Sequence, residues 1–260
     1  TEVMNASASL QLSAERSLAY HKLNAQGDGS RLPGLIFLGG FKSDMNGTKA
    51  RFLHDWAEAR GLAFVRFDYR GHGESSGRFE DGCIGEWADD AGEVLHRLSD
   101  GPQVLIGSSM GGWLALLLAR MFPQRIAGLV GIAAAPDFTT RRWSELPAEI
   151  RQTIQRDGRI EVPSEYDEAP YVYTHRLFED GERHQVRDKP LPLPFPVRLL
   201  HGTADPDVPY QVSVELIEHI TCDDARLVLV KDGDHRLSSE SDLRLLGKTV
   251  HSVLKAGSVS

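Results

Sequence analysis

Cysteine is scarce in this sequence. Two occur in 260 residues, Cys83 and Cys222, far apart and at no metal-ligand spacing. A disulfide framework does not fit, and a reducing compartment, the cytoplasm, is expected. Long apolar runs are missing: none approaches the ~20 residues that a membrane span requires. Basic runs are missing too, and 29 Lys and Arg stand against 37 Asp and Glu, a net charge of -8. A nucleic-acid partner, which demands a basic face, is argued against. The opening TEVMNASASL lacks the apolar core of a signal peptide. There is no H-E-x-x-H, no G-x-x-x-x-G-K-[ST] and no carboxylate cluster suited to a metal, so no cofactor is implied. Internal repeats and low-complexity tracts are absent.

What is present is an alternation. SASLQLSA and SLAYHKLNA read as a hairpin, and QGDGS (26–30) as a turn. Short apolar runs follow: GLIFLGG (34–40), LAFVRFDY (62–69), QVLIGS (103–108), IAGLVGIAAA (126–135), VRLLHG (197–202) and ARLVLV (225–230). Continuous apolar runs of this length predict strands buried on both faces. Helical spacing separates them at 46–60, 84–98, 111–122 and 210–220, and again after Ser238. Strands alternating with helices predict a mostly parallel, eight-stranded sheet covered on both faces. One stretch breaks the rhythm. Residues 137–196 show no evident strand; LPAEIRQTIQR and YVYTHRLFED read as helices, and KPLPLPFP closes the segment. Sixty residues exceed a plain loop. The expected organisation is therefore one core built from 1–136 and 197–260, with a helical lid, 137–196, inserted between two strands. Its aromatics include Phe138, Trp143, Tyr166, Tyr171, Tyr173, Phe178 and Phe195; Phe138, Trp143, Tyr171 and Phe178 are the candidates for a substrate wall. Arg141 and Arg142, at its entry, read as a solvated pair, with contact to a substrate carboxylate as the alternative.

Gly107-Ser108-Ser109-Met110-Gly111 matches G-x-S-x-G centred on Ser109; a match on Ser108 fails at Ile106 and Met110. Such a pentapeptide arises by chance about once in 3,000 positions, so the motif alone decides little. Its place between a predicted strand and a predicted helix matters more. A serine on that sharp turn is strained, the residues two positions away must be very small, and its hydroxyl stands above the sheet. A lone serine is a weak nucleophile and needs a base and an orienting acid. On this scaffold they follow in the order acid, then histidine, at later strand ends. Asp205 follows VRLLHG and His235 follows ARLVLV. Asp207 is the main rival acid and Asp137 a lesser one. Phe41, after Gly39-Gly40, and Met110 are placed to offer two backbone N–H groups to an oxyanion. His72 in RGHGES and His201 in LLHG read as turn-stabilising groups, and DYRGHG as a structural turn. His175 and His184, in the lid, are candidates for substrate contact.

The elbow GSSMGG, the strand-end DYRGHGESSG, the acid loop HGTADPDVP and the late GDHRLS together resemble the α/β-hydrolase superfamily over essentially Arg31 to Lys255. LGGFKSDMNGTKA, GPQVLIGSSMGGW, VRLLHGTADPDVP and DGDHR are similar to the family of the mammalian mitochondrial acyl-glucuronide esterase, which is also a palmitoyl-protein thioesterase. The string Asn46-Gly47-Thr48-Lys49-Ala50 is the most discriminating piece. The resemblance implies Ser109 as nucleophile, Asp205 as acid and His235 as base, and makes a mitochondrial location the alternative to the cytoplasm. Gly39 stands where many superfamily members carry a histidine; the oxyanion donors are backbone groups, so the hole still forms.

Residues and resemblance together predict a cofactor-independent serine hydrolase. Its substrates are carboxylic esters or thioesters, small or carried on an acylated protein. A C–C bond hydrolase or aminopeptidase on the same scaffold is the alternative, and a binding module without turnover is the non-enzymatic one.

Overall fold

A computed structural model describes residues 6–164 and 169–256. The first hairpin pairs β1 (Ala8–Gln11) with β2 (Ser17–Leu23). Then come β3 (Gly34–Leu38), α1 (Thr48–Glu58), β4 (Phe64–Phe67), α2 (Ile84–Leu98), β5 (Gln103–Ser108), α3 (Met110–Met121) and β6 (Ile126–Ile132). An insertion follows: α4 (Phe138–Glu145), α5 (Ala148–Asp157), β7 (Arg159–Val162), β8 (Tyr171–Thr174), α6 (His175–Arg183) and β9 (Leu191–Pro192). The chain returns through β10 (Val197–Gly202), α7 (Gln211–His219), β11 (Ile220–Thr221), β12 (Ala225–Val230) and α8 (Glu240–Ala256).

The central sheet has eight strands in the order β1-β2-β4-β3-β5-β6-β10-β12. β2 runs antiparallel to both β1 and β4, and the pairings from β4 to β12 are parallel. This is the sheet expected from the apolar runs, and the reason is visible strand by strand. Leu35 points to one face and Ile36 and Leu38 to the other, yet all are buried. One face is covered by α1 and α8, where Leu53, Ala57, Val250 and Leu254 meet Phe37, Ile106, Val130 and Leu200. The other carries α2 and α3, with Trp87 and Trp113 fully enclosed. A parallel sheet covered in this way has every strand pointing its C-terminal end at one rim, and the loops there carry the candidate site.

The insertion holds helices and also a hairpin that the sequence pattern does not announce. β7 and β8 pair antiparallel from Arg159↔Thr174 to Val162↔Tyr171. Tyr-Val-Tyr-Thr is an aromatic and β-branched run, which favours a pleated surface over a helix. The helix starts only after Thr174, whose Oγ1 accepts the Leu177 N–H at 3.0 Å and caps it. β9 adds a second small pairing, to β11. Tyr166 lies outside the described residues. Both ends of the insertion are fastened at one point. Asp137, in the left-handed region at φ 55°, is buried, and its carboxylate accepts the N–H groups of Val186 and Arg187 and the Arg187 Nε. Among the described residues no helix is long and apolar enough to cross a membrane.

Candidate active site

Ser109 occupies the turn between β5 and α3 with φ 56° and ψ -118°, a conformation that L-residues rarely hold. The fold over-determines it. Ser109 N–H donates to the Ile132 carbonyl at 2.9 Å, and the Ser109 carbonyl accepts from Gly112 and Ala135. A Cβ on Gly107 would stand 2.3 Å from the Gly111 carbonyl oxygen, and one on Gly111 would stand 2.0 Å from that of Leu38. Glycine at both positions is thus a steric requirement of the turn, whose strain is of order 1–3 kcal/mol.

The structure brings Ser109, His235 and Asp205 into one line. His235 Nδ1 lies 2.8 Å from Asp205 Oδ2, and His235 Nε2 lies 3.1 Å from Ser109 Oγ. The carboxylate can only accept, so Nδ1 carries the proton and Nε2 offers its lone pair to the serine hydroxyl. The Asp205 side chain is fully buried. Its Oδ1 accepts the N–H groups of Asp207 and Val208, each at 2.9 Å. Burial alone would raise its pKa; contacts with His201 and His235 outweigh this and hold the carboxyl well below the usual carboxylate range. His201 is itself enclosed, with Nε2–H donating to the Val208 carbonyl at 2.8 Å and Nδ1 accepting from Ser213 Oγ at 2.7 Å. It thus stiffens the acid loop. Asp207 sits on the exposed lip of that loop and lends Asp205 its N–H. Asp137, the other rival, fastens the insertion instead. Asp205, Asp207 and His235 bring ligand atoms within 4.8 Å of one another. The bond between His235 and Asp205 already commits two of the three, which is a poor start for a cation.

Above Ser109 runs the loop after β3. A Cβ on Gly40 would lie 3.6 Å from Ser109 Cβ, so the backbone of this loop rests against the serine. Tyr69 Oη donates to the Gly39 carbonyl at 3.0 Å, and the Lys42 N–H donates to His72 Nε2 at 3.1 Å. Between these fixed points, the Phe41 N–H has no acceptor among the described residues. The Met110 N–H opens α3 and, as a first-turn amide, has no intrahelical partner. His72 was readable as a turn residue; its reach to Lys42 was not. Burial pushes its pKa down to about 4, so the ring is neutral, with Nδ1 on the Arg70 carbonyl and Nε2 free to accept. Asp68, raised by burial to about 6, binds the Met45 and Glu74 N–H groups and ties the same turn to the same loop.

A cleft of about 440 Å³ opens over Ser109 and His235. The insertion contributes Phe138, Arg141, Arg142, Tyr171 and Tyr173 to its wall. The Phe41 ring stacks on Tyr173 at 5.6 Å between centroids and 13° between planes, and meets Phe138 edge-on at 5.6 Å. Trp143 and Phe178 do not line the cleft. Phe178 falls on the inner stripe of α6 and is 5% exposed; it stacks behind Tyr173 and meets Trp143 at a tilt of 54°. Phe195 belongs to the main core. His184 anchors the insertion, its carbonyl taking the Trp113 indole N–H, and His175 packs beside Trp143.

An elbow serine on a parallel sheet, with a histidine and an acid delivered by later strand ends, defines a class of protein before any comparison. Residues 37–159 match the family model described as the alpha/beta hydrolase fold. The chain belongs to the α/β-hydrolase family. Within it, the chain is 36% identical over 239 residues to the mitochondrial palmitoyl-protein thioesterase ABHD10 of Homo sapiens, covering 92% of this chain and 76% of that protein. The solved structure of alpha/beta hydrolase domain-containing protein 10 from mouse superposes with a TM-score of 0.88 at 35% identity, over 96% of this chain and 99% of that one. A putative hydrolase from Agrobacterium vitis S4 gives 0.89 at 39% identity, over 95% and 97%.

Proposed function

We propose that this chain is a serine hydrolase that cleaves carboxylic esters or thioesters through an acyl-enzyme on Ser109. The observation that carries the reading is the line from Asp205 to His235 to Ser109, at 2.8 and 3.1 Å, ending on a serine held in a strained elbow. His235 Nε2 takes the Ser109 proton as Oγ attacks the acyl carbonyl carbon. The carbonyl oxygen becomes an oxyanion facing the Phe41 and Met110 N–H groups, worth about 2.7–4 kcal/mol for each donor in comparable holes. The His235 imidazolium is stabilised by the buried Asp205 carboxylate and returns the proton to the departing alcohol or thiol. Water then enters, gives its proton to His235 and attacks the acyl carbon. The tetrahedral species collapses as His235 returns that proton to Ser109 Oγ, freeing the acid and the serine hydroxyl. Every group in this cycle is a side chain or backbone amide of the chain, and the proposal needs no cofactor or metal.

The relatives named as palmitoyl-protein thioesterases support thioesters, including those on acylated proteins, as a substrate class. The aromatic wall of Phe41, Phe138, Tyr171 and Tyr173 supports an apolar acyl group. Two free cysteines support a reducing compartment. The cytoplasm is the proposed one and the mitochondrion of the relatives its competitor, which imaging of the tagged full-length protein decides. The chemistry is tested by assaying wild type and Ser109→Ala on acyl-thioesters and nitrophenyl esters of graded chain length. Wild type is expected to turn over members of both series, and the variant is expected to lose several orders of magnitude on all of them. Equal turnover by the variant overturns the proposal.

A further inference from the structure

The Asn46-Gly47-Thr48-Lys49 string has a residue that the chemistry above leaves without a task. Asn46 is accounted for, since its Oδ1 accepts the Arg66 guanidinium at 2.7 Å. Lys49 is placed against local preference. It lies in the first turn of α1, where the helix dipole disfavours a cation and where α1 carries no acidic residue. Its side chain is half-buried and shares the cleft wall with another cation, Arg236. Burial first, and then the Arg236 guanidinium, lower its pKa to about 8 against the opposing carboxylates of Asp234 and Asp242.

What offsets these costs is specific. Lys49 Nζ donates to the backbone carbonyl of Arg236, 187 residues further along the chain, and to Ser238 Oγ at 3.3 Å. Both acceptors lie within three residues after His235, in the loop before α8. One ammonium thus joins the N-terminus of α1 to the loop that presents the imidazole to Ser109. A local rule broken in favour of one long-range contact beside an active site is what functional constraint looks like.

We propose that Lys49 is a positioning residue whose ammonium holds the 235–238 loop so that His235 stays within reach of Ser109. The proposal rests on the serine-hydrolase reading. Misplacing a reacting group by about 1 Å can cost on the order of 100-fold, so a tether of this kind matters to rate more than to substrate binding. A charged donor binds a carbonyl about twice as strongly as a neutral one, so the tether weakens as pH rises through about 8. The charged and titratable groups facing Lys49 are Asp234, His235 and Arg236 on the loop and Asp242 on α8, with Lys42 and Asp44 on the adjoining cleft wall.

The test measures kcat and KM on a short uncharged ester, and the rate of fluorophosphonate labelling, from about pH 6 to 10, with melting temperature alongside. It compares wild type, Lys49→Arg, Lys49→Met and Ser238→Ala. Wild type is expected to lose rate several-fold above about pH 8, and Lys49→Arg, charged throughout, to keep its rate there. Lys49→Met is expected to fall roughly 10- to 100-fold in kcat and in labelling, with KM changed less than about threefold. Ser238→Ala, which removes one acceptor, is expected to fall about two- to fivefold. Undiminished kcat and labelling in Lys49→Met, a change confined to KM, or an alkaline limb surviving in Lys49→Arg overturns the proposal. If Lys49→Met does not fold, Lys49→Arg and Ser238→Ala decide it alone. A wild type that the probe does not label overturns the serine-hydrolase reading, and the role of Lys49 with it.

Discussion

At the scale of single residues, the adjacent serines and the two aspartates of one loop separate sharply. Ser109 sits on the strained turn and faces His235, while Ser108 completes β5. Ser108→Ala is therefore expected to keep most of the wild-type kcat, in contrast to Ser109→Ala. Asp205→Asn is expected to cost on the order of 10⁴ in kcat, because an amide favours the wrong imidazole tautomer. Asp207→Asn, which keeps the backbone N–H that Asp205 uses, is expected to be mild; steady-state kinetics on the pair checks the order. His72 supplies a pH signature in stability. Its pKa lies below that of an unfolded histidine, so the unfolded chain binds the extra proton first, and stability is lost as pH falls from about 6.5 to about 4. The full effect is roughly 3 kcal/mol. Asp68, raised to about 6, acts with the opposite sign between about 4 and 6. The difference between wild type and His72→Gln in urea unfolding at several pH values therefore isolates the histidine, and a pH-independent difference contradicts its burial as a neutral ring.

At the scale of elements, the proposed function divides the labour between the insertion and the sheet. The sheet loops carry Ser109, Asp205 and His235, and the insertion supplies Phe138, Tyr171 and Tyr173 to the wall. Alanine at Tyr171 or Phe138 is expected to change kcat/KM unequally across acyl chain lengths, by about 1–3 kcal/mol where an apolar contact is lost. Trp143→Ala and Phe178→Ala, behind the wall, are expected to lower the melting temperature more than to alter chain-length preference. A chain-length series on all four variants, with melting curves, tests the division. The sheet was legible because its strands are apolar on both faces and its helices have a regular period. The order of Ser109, Asp205 and His235 was legible because each follows such a strand. The β7–β8 hairpin is hidden because the helical spacing of the residues that follow Tyr-Val-Tyr-Thr masks that run's own β preference. Which insertion aromatics face the cleft depends on how α4 and α6 are rotated against the body, and no local pattern records that. The reach of His72 to Lys42 and of Lys49 to the His235 loop are contacts between distant segments, invisible to spacing.

At the scale of the whole molecule, charge is unevenly placed. The chain carries a net -8, yet Lys42, Lys49, Arg141, Arg142 and Arg236 line the cleft against Asp44 and Asp207. On the proposed function, such a mouth is expected to attract substrates with negative leaving groups while the remaining surface repels them. The kcat/KM for an ester with an anionic leaving group is expected to fall as salt is raised from about 0.01 to 0.5 M, where screening shortens from about 30 Å to a few ångströms. An uncharged ester of equal acyl length is expected to respond little, and identical salt dependence for both contradicts the account of the mouth. The central claim is the covalent bond to Ser109, and peptide mass spectrometry of the protein acid-quenched during turnover of a slowly hydrolysed ester reads it most directly. The account predicts the acyl mass on the peptide containing Ser109, retained in Ser108→Ala and absent in Ser109→Ala. An adduct that persists in Ser109→Ala, or turnover with no adduct while deacylation is demonstrably slow, would contradict it.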